Sequence, residues 1–311
     1  MLPESEAPAG RRYLPELSLF GITLLWGATF LVTQIGLDDW GPFFFVGVRF
    51  AIAAALLFIT SPRHMVRVTR VELTSSLWIG AAMTAGMALQ AIGLLYIPSS
   101  KSAFITSLYV PLVPVAELIF LRRMPRRMVW VGVVMALAGL TLLAGPREVM
   151  GLTLGTGETL TILCAVATVG QIVLIGVFAR AVDGRRAAML QMAVTAALCF
   201  AMMPLTGEAL PRWSPVAFGC VVVLGVGSVI IQVTMNWAQR SVSATRASLI
   251  YAGEPVYAGV IGWAAGDRLP GSAILGGALV VLSVVVSELR LGRGPKRNAA
   301  PPSVVTPPAN S

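Results

Sequence analysis

Ten long apolar segments, each about as long as a bilayer is thick, constrain the fold of this chain more than any other feature. A helix that crosses a membrane needs roughly 20 mainly apolar residues. Exposed backbone polar groups are costly in lipid, so only helices and closed barrels can span it. The segments are residues 17–36, 42–60, 73–95, 99–121, 128–145, 155–179, 187–207, 215–239, 244–266 and 270–289. Barrel strands are shorter, alternating stretches of about ten residues. The pattern therefore predicts an all-α polytopic membrane protein with ten transmembrane helices.

The overall composition agrees with a lipid solvent. Of the 311 residues, 56% are hydrophobic and 12% are charged, which is too apolar for a single water-soluble core. The formal charge of +9 would suggest nucleic acid in a soluble protein, but the basic residues lie in short connections between apolar segments. Cys164, Cys199 and Cys220 lie inside apolar segments without a CxxC motif or a neighbouring histidine. We therefore predict a lipid bilayer partner, no nucleic acid, no metal and no cofactor.

The distribution of lysine and arginine predicts the orientation. With a cytoplasmic N-terminus, 17 of the 23 basic residues fall on the cytoplasmic side. Lys101, Arg147, Arg212 and Arg268 fall outside, and Arg49 and Arg246 lie within spans. This alternation follows the positive-inside rule and predicts a multi-pass protein of the cell (inner) membrane with both termini cytoplasmic. Residues 1–16 are predicted to be a cytoplasmic segment without a cleavable signal, and residues 291–311 a disordered cytoplasmic tail.

The two halves of the chain can be overlaid with a shift that grows slowly along the sequence. The shift is 139 at Ala28 and Ala167, 142 at Arg49 and Gln191 and at Gln90 and Gln232, and 144 at Pro111 and Pro255. Such a pattern indicates a duplicated five-helix unit, residues 17–145 and 155–290, although chance alignment of Ala/Leu-rich helices is the alternative. Because five is odd, the second unit enters the membrane inverted, which is typical of transporters.

Several short motifs lie in order along both halves of the chain. They are Trp26-Gly27-Ala28-Thr29-Phe30, Gly47-Val48-Arg49-Phe50, the segment around Pro111 with the basic turn 122–127, Trp130-Val131-Gly132, Ala247-Ser248-Leu249 and Glu254-Pro255. Together they resemble the drug/metabolite transporter superfamily, and its EamA branch in particular. The resemblance covers residues 17–289 and implies two inverted five-helix repeats around a central cavity. It also implies transport of small metabolites, amino-acid-like compounds or drugs, often outward. We therefore predict a secondary transporter that works by alternating access, as an exporter.

Polar side chains inside the spans are candidates to line that cavity. Polar groups at bilayer depth are costly, so they face a wet cavity or a partner helix. Gln232, Asn236 and Gln239 form one helical stripe, with Gln239 near the cytoplasmic end. Further candidates are Gln90 and Gln191, with Gln171 a weaker one. The alternative is that these amides only hold helices together.

Two prolines and three tyrosines mark corresponding places in the fourth and ninth spans. Pro111 and Pro255 each remove a helical hydrogen bond and should bend or open the helix at equivalent depth. Paired interruptions of this kind point to a transport site. Tyr109 on one side, and Tyr251 and Tyr257 on the other, are the neighbouring candidates for substrate contact. The alternative is that the prolines only shape packing.

Arg49 and Glu254 are the two charges placed deep within spans. An ion pair between them, or between Glu254 and Arg246, would offset the cost of burial. Alternatively, Glu254 binds a cationic amino group of the substrate or exchanges a proton for it. Glu117 is expected to pair with Arg122 or Arg123 near the cytoplasmic end.

Other functional classes find less support. His64, the single histidine, has no acidic partner beyond Glu72, and the sequence contains no phosphate-binding loop, so neither an enzyme nor a nucleotide-driven pump is predicted. A passive channel or a lipid-moving protein of the same fold remains the alternative. Small-residue stripes at Gly132, Ala136 and Gly139 and at Gly276, Val280 and Ser283 predict scaffold packing or a homodimer contact.

Overall fold

The computed structural model describes residues 13–60, 62–122, 124–144, 155–264 and 271–288, and within these ranges all regular structure is helical. The first half contains α1 (Leu14–Leu37), α2 (Pro42–Thr60), the short α3 (Pro62–Met65), α4 (Arg70–Gly93), α5 (Ser99–Thr106), α6 (Tyr109–Leu121) and α7 (Arg127–Ala144). The second half contains α8 (Thr156–Phe178), α9 (Gly184–Thr206), α10 (Pro215–Ala238), α11 (Ala244–Tyr251), α12 (Glu254–Ala264) and α13 (Ala273–Glu288). Of the predicted N-terminal segment 1–16, residues 1–12 lie outside the described residues, as does the predicted tail 291–311, and α1 already begins at Leu14.

Seven segments in the described ranges are long and apolar enough to cross a bilayer. They are α1, α2, α4, the α5–α6 pair taken together, α8, α9 and α10. α7 and α13 contain shorter apolar stretches, Arg127–Leu142 and Ile274–Ser287. Large apolar side chains stay exposed on the outside of the bundle, such as Phe120 at 78% and Ile274 at 87%. Water would disfavour so much exposed apolar surface, whereas lipid accepts it, and the chain is a multi-pass membrane protein.

Two helices begin earlier than their apolar segments, because polar caps set their first residue. Thr69 and Glu72 form a capping box in which each side chain accepts a hydrogen bond from the other residue's backbone N–H, and α4 starts at Arg70 instead of residue 73. Asp183 accepts from the backbone N–H groups of Arg185 and Arg186, so α9 starts at Gly184 instead of residue 187. A hydropathy window cannot detect these polar first turns.

Two apolar cores hold the bundle together. The first lies around Leu19, Tyr109, Ile172 and Tyr251 and draws mainly on α1, α6, α7, α8, α10, α11 and α13. The second lies around Phe45, Phe50, Met83 and Met192 and draws mainly on α2, α4, α9 and α10. Helices from both halves of the chain contribute to each core.

α7 and α13 pack against each other along their small-residue stripes. A Cβ atom added to Gly132 would lie 2.8 Å from the carbonyl oxygen of Ser283, and one added to Gly139 would lie 2.7 Å from that of Gly276. Only glycine allows the two backbones to approach so closely. The two stripes therefore face each other within one chain, so they pack the scaffold and are not free to form a homodimer contact.

Candidate functional site

Helical structure is interrupted at two corresponding places of the chain, between α5 and α6 and between α11 and α12. α5 and α11 each contain eight residues and are followed by a two-residue turn, at 107–108 and at 252–253. Pro111 and Pro255 lie in the first turn of the helix that follows each break. A proline cannot donate a hydrogen bond to the carbonyl four positions earlier, and its ring clashes with that carbonyl. The helical hydrogen-bond pattern is therefore interrupted at Ser107 and Tyr251, in or next to the two turns.

The helix that follows each break begins with a polar residue, and these two residues form a hydrogen bond with each other. The hydroxyl of Tyr109, the first residue of α6, donates to Oε2 of Glu254, the first residue of α12, at 3.1 Å. Both side chains are almost completely buried, at 0% and 1% exposure. Within the described ranges, Oε1 of Glu254 and Oγ1 of Thr106 have no hydrogen-bond partner. The carboxyl group thus has one sealed oxygen without a partner in these ranges, and this oxygen can carry a proton.

The expected ion pairs of Glu254 are not present, and this prediction is wrong. Nη1 of Arg246 lies 3.5 Å from Oε1 of Glu16 on α1. Nε of Arg49 donates a hydrogen bond to the hydroxyl of Ser228. Glu117 does not pair with Arg122, and its carboxylate instead accepts hydrogen bonds from the backbone N–H and the hydroxyl of Thr245. Arg123, the other expected partner, lies outside the described residues. The partner of a buried charge depends on which helix faces it, and spacing along the chain does not determine this.

Aromatic side chains connect Glu254 to the middle of the bundle. The rings of Trp26 and Tyr251 meet edge to face with centroids 5.4 Å apart. Gly27, next to Trp26, lets α1 approach α12 so closely that an added Cβ would lie 2.9 Å from the carbonyl oxygen of Glu254. Tyr251 is fully buried with an unpartnered hydroxyl, whereas Tyr257 is only partly buried, next to Gly27.

Four buried amides from three helices of the second half form a hydrogen-bonded cluster. Nε2 of Gln171 donates to Oε1 of Gln232 at 3.3 Å, and Nε2 of Gln232 donates to Oε1 of Gln191 at 3.1 Å. Gln191 and Asn236 exchange two hydrogen bonds of 3.1 and 3.0 Å. Gln90 is buried on α4 but forms no hydrogen bond with this cluster. We refer to Gln171, Gln191, Gln232 and Asn236 as the amide cluster.

The amide cluster borders a cavity at the place where the two apolar cores meet. About 280 Å³ of space at this place is not filled by protein atoms, a volume that includes open solvent. The lining combines polar side chains with aromatic, aliphatic and thioether ones, as small-molecule sites do. The residues that line it are Trp26, Arg49, Phe50, Met83, Met87, Gln171, Ser228, Ile231 and Gln232. Of the residues predicted to line a cavity, Arg49, Gln171 and Gln232 border it, and Gln191 and Asn236 form hydrogen bonds with Gln232.

Polar contacts between the two halves close both ends of the bundle. At the end that holds the first residues of α1 and α4, Oε1 of Glu72 accepts from Nη2 of Arg186 at 2.7 Å and from the backbone N–H of Asp183 at 3.0 Å. At the other end, the two oxygens of Glu208 accept from the backbone N–H groups of Phe43 and Phe44 at 3.0 and 2.7 Å. We refer to these as the Glu72 contact and the Glu208 contact. An ion pair of 2.7 Å between Lys101 and Glu158 also lies at the second end.

A comparison with protein-family models decides the family. The EamA-like transporter family matches the chain twice, over residues 14–145 and 155–289. The chain belongs to the EamA-like transporter family. The resemblance read from the short motifs is thereby confirmed.

Curated relatives of this EamA-like chain are also transporters by name. An uncharacterized transporter of Archaeoglobus fulgidus is 26% identical over 282 residues, which cover 90% of this chain and 88% of that protein. The uncharacterized inner membrane transporter YedA of Escherichia coli K12 is 30% identical over 151 residues, 45% of this chain and 47% of that protein. A solved crystal structure has the same fold, with a TM-score of 0.71 and 21% identity, covering 88% of this chain and 97% of that one.

Some residues at the site of this EamA-like protein were not singled out as site candidates in the sequence. Trp26 lies in a motif that carries the resemblance, but nothing in its spacing indicates that it lines the cavity. Ser228 is a small polar residue in an apolar helix and gives only a weak signal. Glu72 and Glu208 lie at helix ends, where acidic residues are common. Within the described part of the chain, no group of three or more His, Cys, Asp and Glu residues is arranged to hold a metal ion.

Proposed function

We propose that this membrane transporter moves a small metabolite, an amino-acid-like compound or a drug by alternating access, and that it works as an exporter. The observation that supports this most is the cavity between the two cores, whose lining residue Trp26 contacts Tyr251 at the end of the interrupted helix α11. Broken helices at mid-depth supply polar groups to a site that lipid cannot reach. The outward direction rests on the family resemblance.

The pattern of helix contacts supports two inverted five-helix repeats. Apart from the short α3, each helix of the first half has a counterpart in the second: α1 and α8, α2 and α9, α4 and α10, α5–α6 and α11–α12, and α7 and α13. When all counterparts are exchanged, each major contact becomes either itself or another contact that is also present. For example, α1 packs on α10 as α8 packs on α4, and α6 packs on α11 as α12 packs on α5. Such exchangeable contacts give a bundle two similar ways of packing, which is what alternating access requires.

The orientation in the membrane is part of the proposal. Ten spans with both termini cytoplasmic place Arg67 and Arg185 inside and Asp38 and Glu208 outside. Reporter fusions at these four residues should therefore alternate between cytoplasmic and external signals. A reversed signal at any one of them would mean that the number of spans is wrong.

The contacts that close both ends favour a carrier over a passive channel. The Glu72 contact and the Glu208 contact each join helices of opposite halves, so opening one end requires breaking only its own contacts. A channel would need both ends open at once.

Counterflow in proteoliposomes tests the proposal. Vesicles that contain the full chain are loaded with a candidate solute, and uptake of the labelled solute is followed after dilution. A carrier should accumulate the label transiently and saturate with concentration. Linear uptake without accumulation for a solute that does cross would support the channel, and protein-dependent movement of labelled lipid between leaflets would support the lipid-moving alternative.

A further inference from the structure

Arg49 is a buried positive charge without a counter-charge. Its side chain lies on α2 and borders the cavity, and the residue is only 4% exposed. None of the ion pairs in the described residues includes Arg49, although a carboxylate within 4.0 Å would form one. A guanidinium group keeps its charge under all physiological conditions, and an unpaired charge at such depth is costly. The cost indicates that an anion from outside the chain completes the site.

The protein holds this guanidinium in place but leaves its outer edge free. Nε donates to the hydroxyl of Ser228 at 2.9 Å, and Ser228 donates in turn to the carbonyl of Leu224 at 2.7 Å. The guanidinium carbon lies 5.0 Å from the centre of the Phe50 ring. The two Nη groups donate to no protein atom in the described ranges, and neither is sealed away from the cavity. Two parallel N–H donors on a fixed plane match the two oxygens of a carboxylate or a phosphate.

The rest of the lining fits the body of a small organic molecule. Trp26 and Phe50 provide aromatic surface, and Met83 and Met87 provide adaptable thioether surface. Gln171 and Gln232 add amide groups that hydrogen-bond without charge. The lining therefore contains one cation and no anion among the described residues.

We propose that Arg49 binds an oxyanion, so that the solute accepted by the cavity is a small organic anion with a carboxylate or phosphate group. This inference rests on the proposed function, because it names the chemical class of solute for the same cavity. Ser228 and Phe50 act as positioning residues, which hold the guanidinium plane so that both Nη groups meet the oxyanion.

Thermal unfolding of the purified full chain in detergent tests the charge requirement without knowing the substrate. Small organic acids are added in pairs with their uncharged counterparts: benzoate with benzamide, succinate with succinamide, glycerol 3-phosphate with glycerol, and further pairs of the same design. We expect at least one acid to raise the melting temperature by several degrees while its counterpart does not. Carboxylates and phosphates are compared separately, which identifies the oxyanion. Equal stabilisation by acids and neutral counterparts, or by neither, would overturn the proposal.

Three variants assign the effect to Arg49. Arg49→Gln removes the charge and should weaken binding of the stabilising acid at least tenfold, while Arg49→Lys, which keeps the charge but loses the planar fork, should weaken it less. Arg67→Gln removes an exposed arginine of the loop before α4 and should bind like wild type. Without ligand, Arg49→Gln should melt no lower than wild type, because an uncompensated charge is lost. A clearly lower melting temperature with unchanged acid binding would show that Arg49 is only structural.

The failure of this inference can be distinguished from the failure of the proposed function. Counterflow of a neutral or cationic solute that does not depend on Arg49 would support the proposed transporter function and would contradict oxyanion binding by Arg49. Binding of an acid that depends on Arg49, without counterflow of that acid, would support the oxyanion site and would contradict the proposed carrier function.

Discussion

Replacing Glu254 with glutamine should leave the amount of folded protein close to that of wild type and should abolish transport. The structure supports the first expectation, because glutamine retains an oxygen that can accept the hydrogen bond from Tyr109, and none of the ion pairs among the described residues includes Glu254. The second follows from the role proposed for the carboxyl group, which either binds a cationic amino group or exchanges a proton. Neutral glutamine does neither. Folded yield and initial counterflow rate in proteoliposomes measure the two effects.

Glu117→Gln is the matched control for this experiment. Glu117 is also a buried carboxyl group, but its Oε2 accepts two hydrogen bonds from Thr245, whereas Oε1 of Glu254 has no partner in the described ranges. Since glutamine can still accept from Thr245, most of the transport should remain. Wild-type counterflow by Glu254→Gln at every pH tested would remove both roles proposed for the carboxyl group. A strong loss of folded protein in Glu254→Gln would instead show that Glu254 is mainly structural.

Gly139→Leu should strongly reduce the amount of folded protein. Even a Cβ at this position would lie 2.7 Å from the carbonyl oxygen of Gly276 and 2.9 Å from the backbone nitrogen of Val280. Backbone atoms cannot rotate away as a side chain can, so α7 and α13 would have to separate. Overpacking of a core typically costs about 1–3 kcal/mol, and backbone collisions cost at the upper end or more. Fluorescence-detected size-exclusion chromatography of heated samples measures the loss.

Gly219→Leu makes the same chemical change where the structure has room. A Cβ at Gly219, on α10, meets no atom within 4 Å. In a membrane helix that faces lipid, an additional leucine is accepted, so folded yield and melting temperature should match wild type. Equal behaviour of the two variants would contradict the close packing of α7 on α13.

The helices could largely be predicted from the sequence because hydropathy acts locally. A span of apolar residues has a minimum length in lipid, and a proline removes a hydrogen bond from its own helix, whatever surrounds it. The positions of Pro111 and Pro255 thus pointed to the places where the chain is interrupted. The polar starts of α4 and α9 were missed, since the capping side chains of Thr69 and Asp183 are as hydrophilic as loop residues.

The partners within the site could not be predicted, because they depend on how distant helices face each other. Arg49 meets Ser228, which is 179 positions away in the sequence, and Tyr109 meets Glu254 across 145 positions. Gln90 and Gln232 correspond in the overlaid halves, yet only Gln232 joins the amide cluster. The two halves share a fold, but their side chains have different surroundings. A repeat in the sequence therefore predicts the architecture and not the chemistry of the site.

The Glu208 contact has a consequence for which substitutions the protein can accept. Its donors are the main-chain N–H groups of Phe43 and Phe44 at the start of α2, and every residue except proline carries such a group. The side chains at these two positions are thus free to change without loss of the hydrogen bonds. Glu208 itself has no such freedom, because the reach and both oxygens of its carboxylate are used at once. The hydrogen bonds of the Glu208 contact therefore depend on the identity of Glu208 alone, whereas apolar packing restricts the side chains of Phe43 and Phe44.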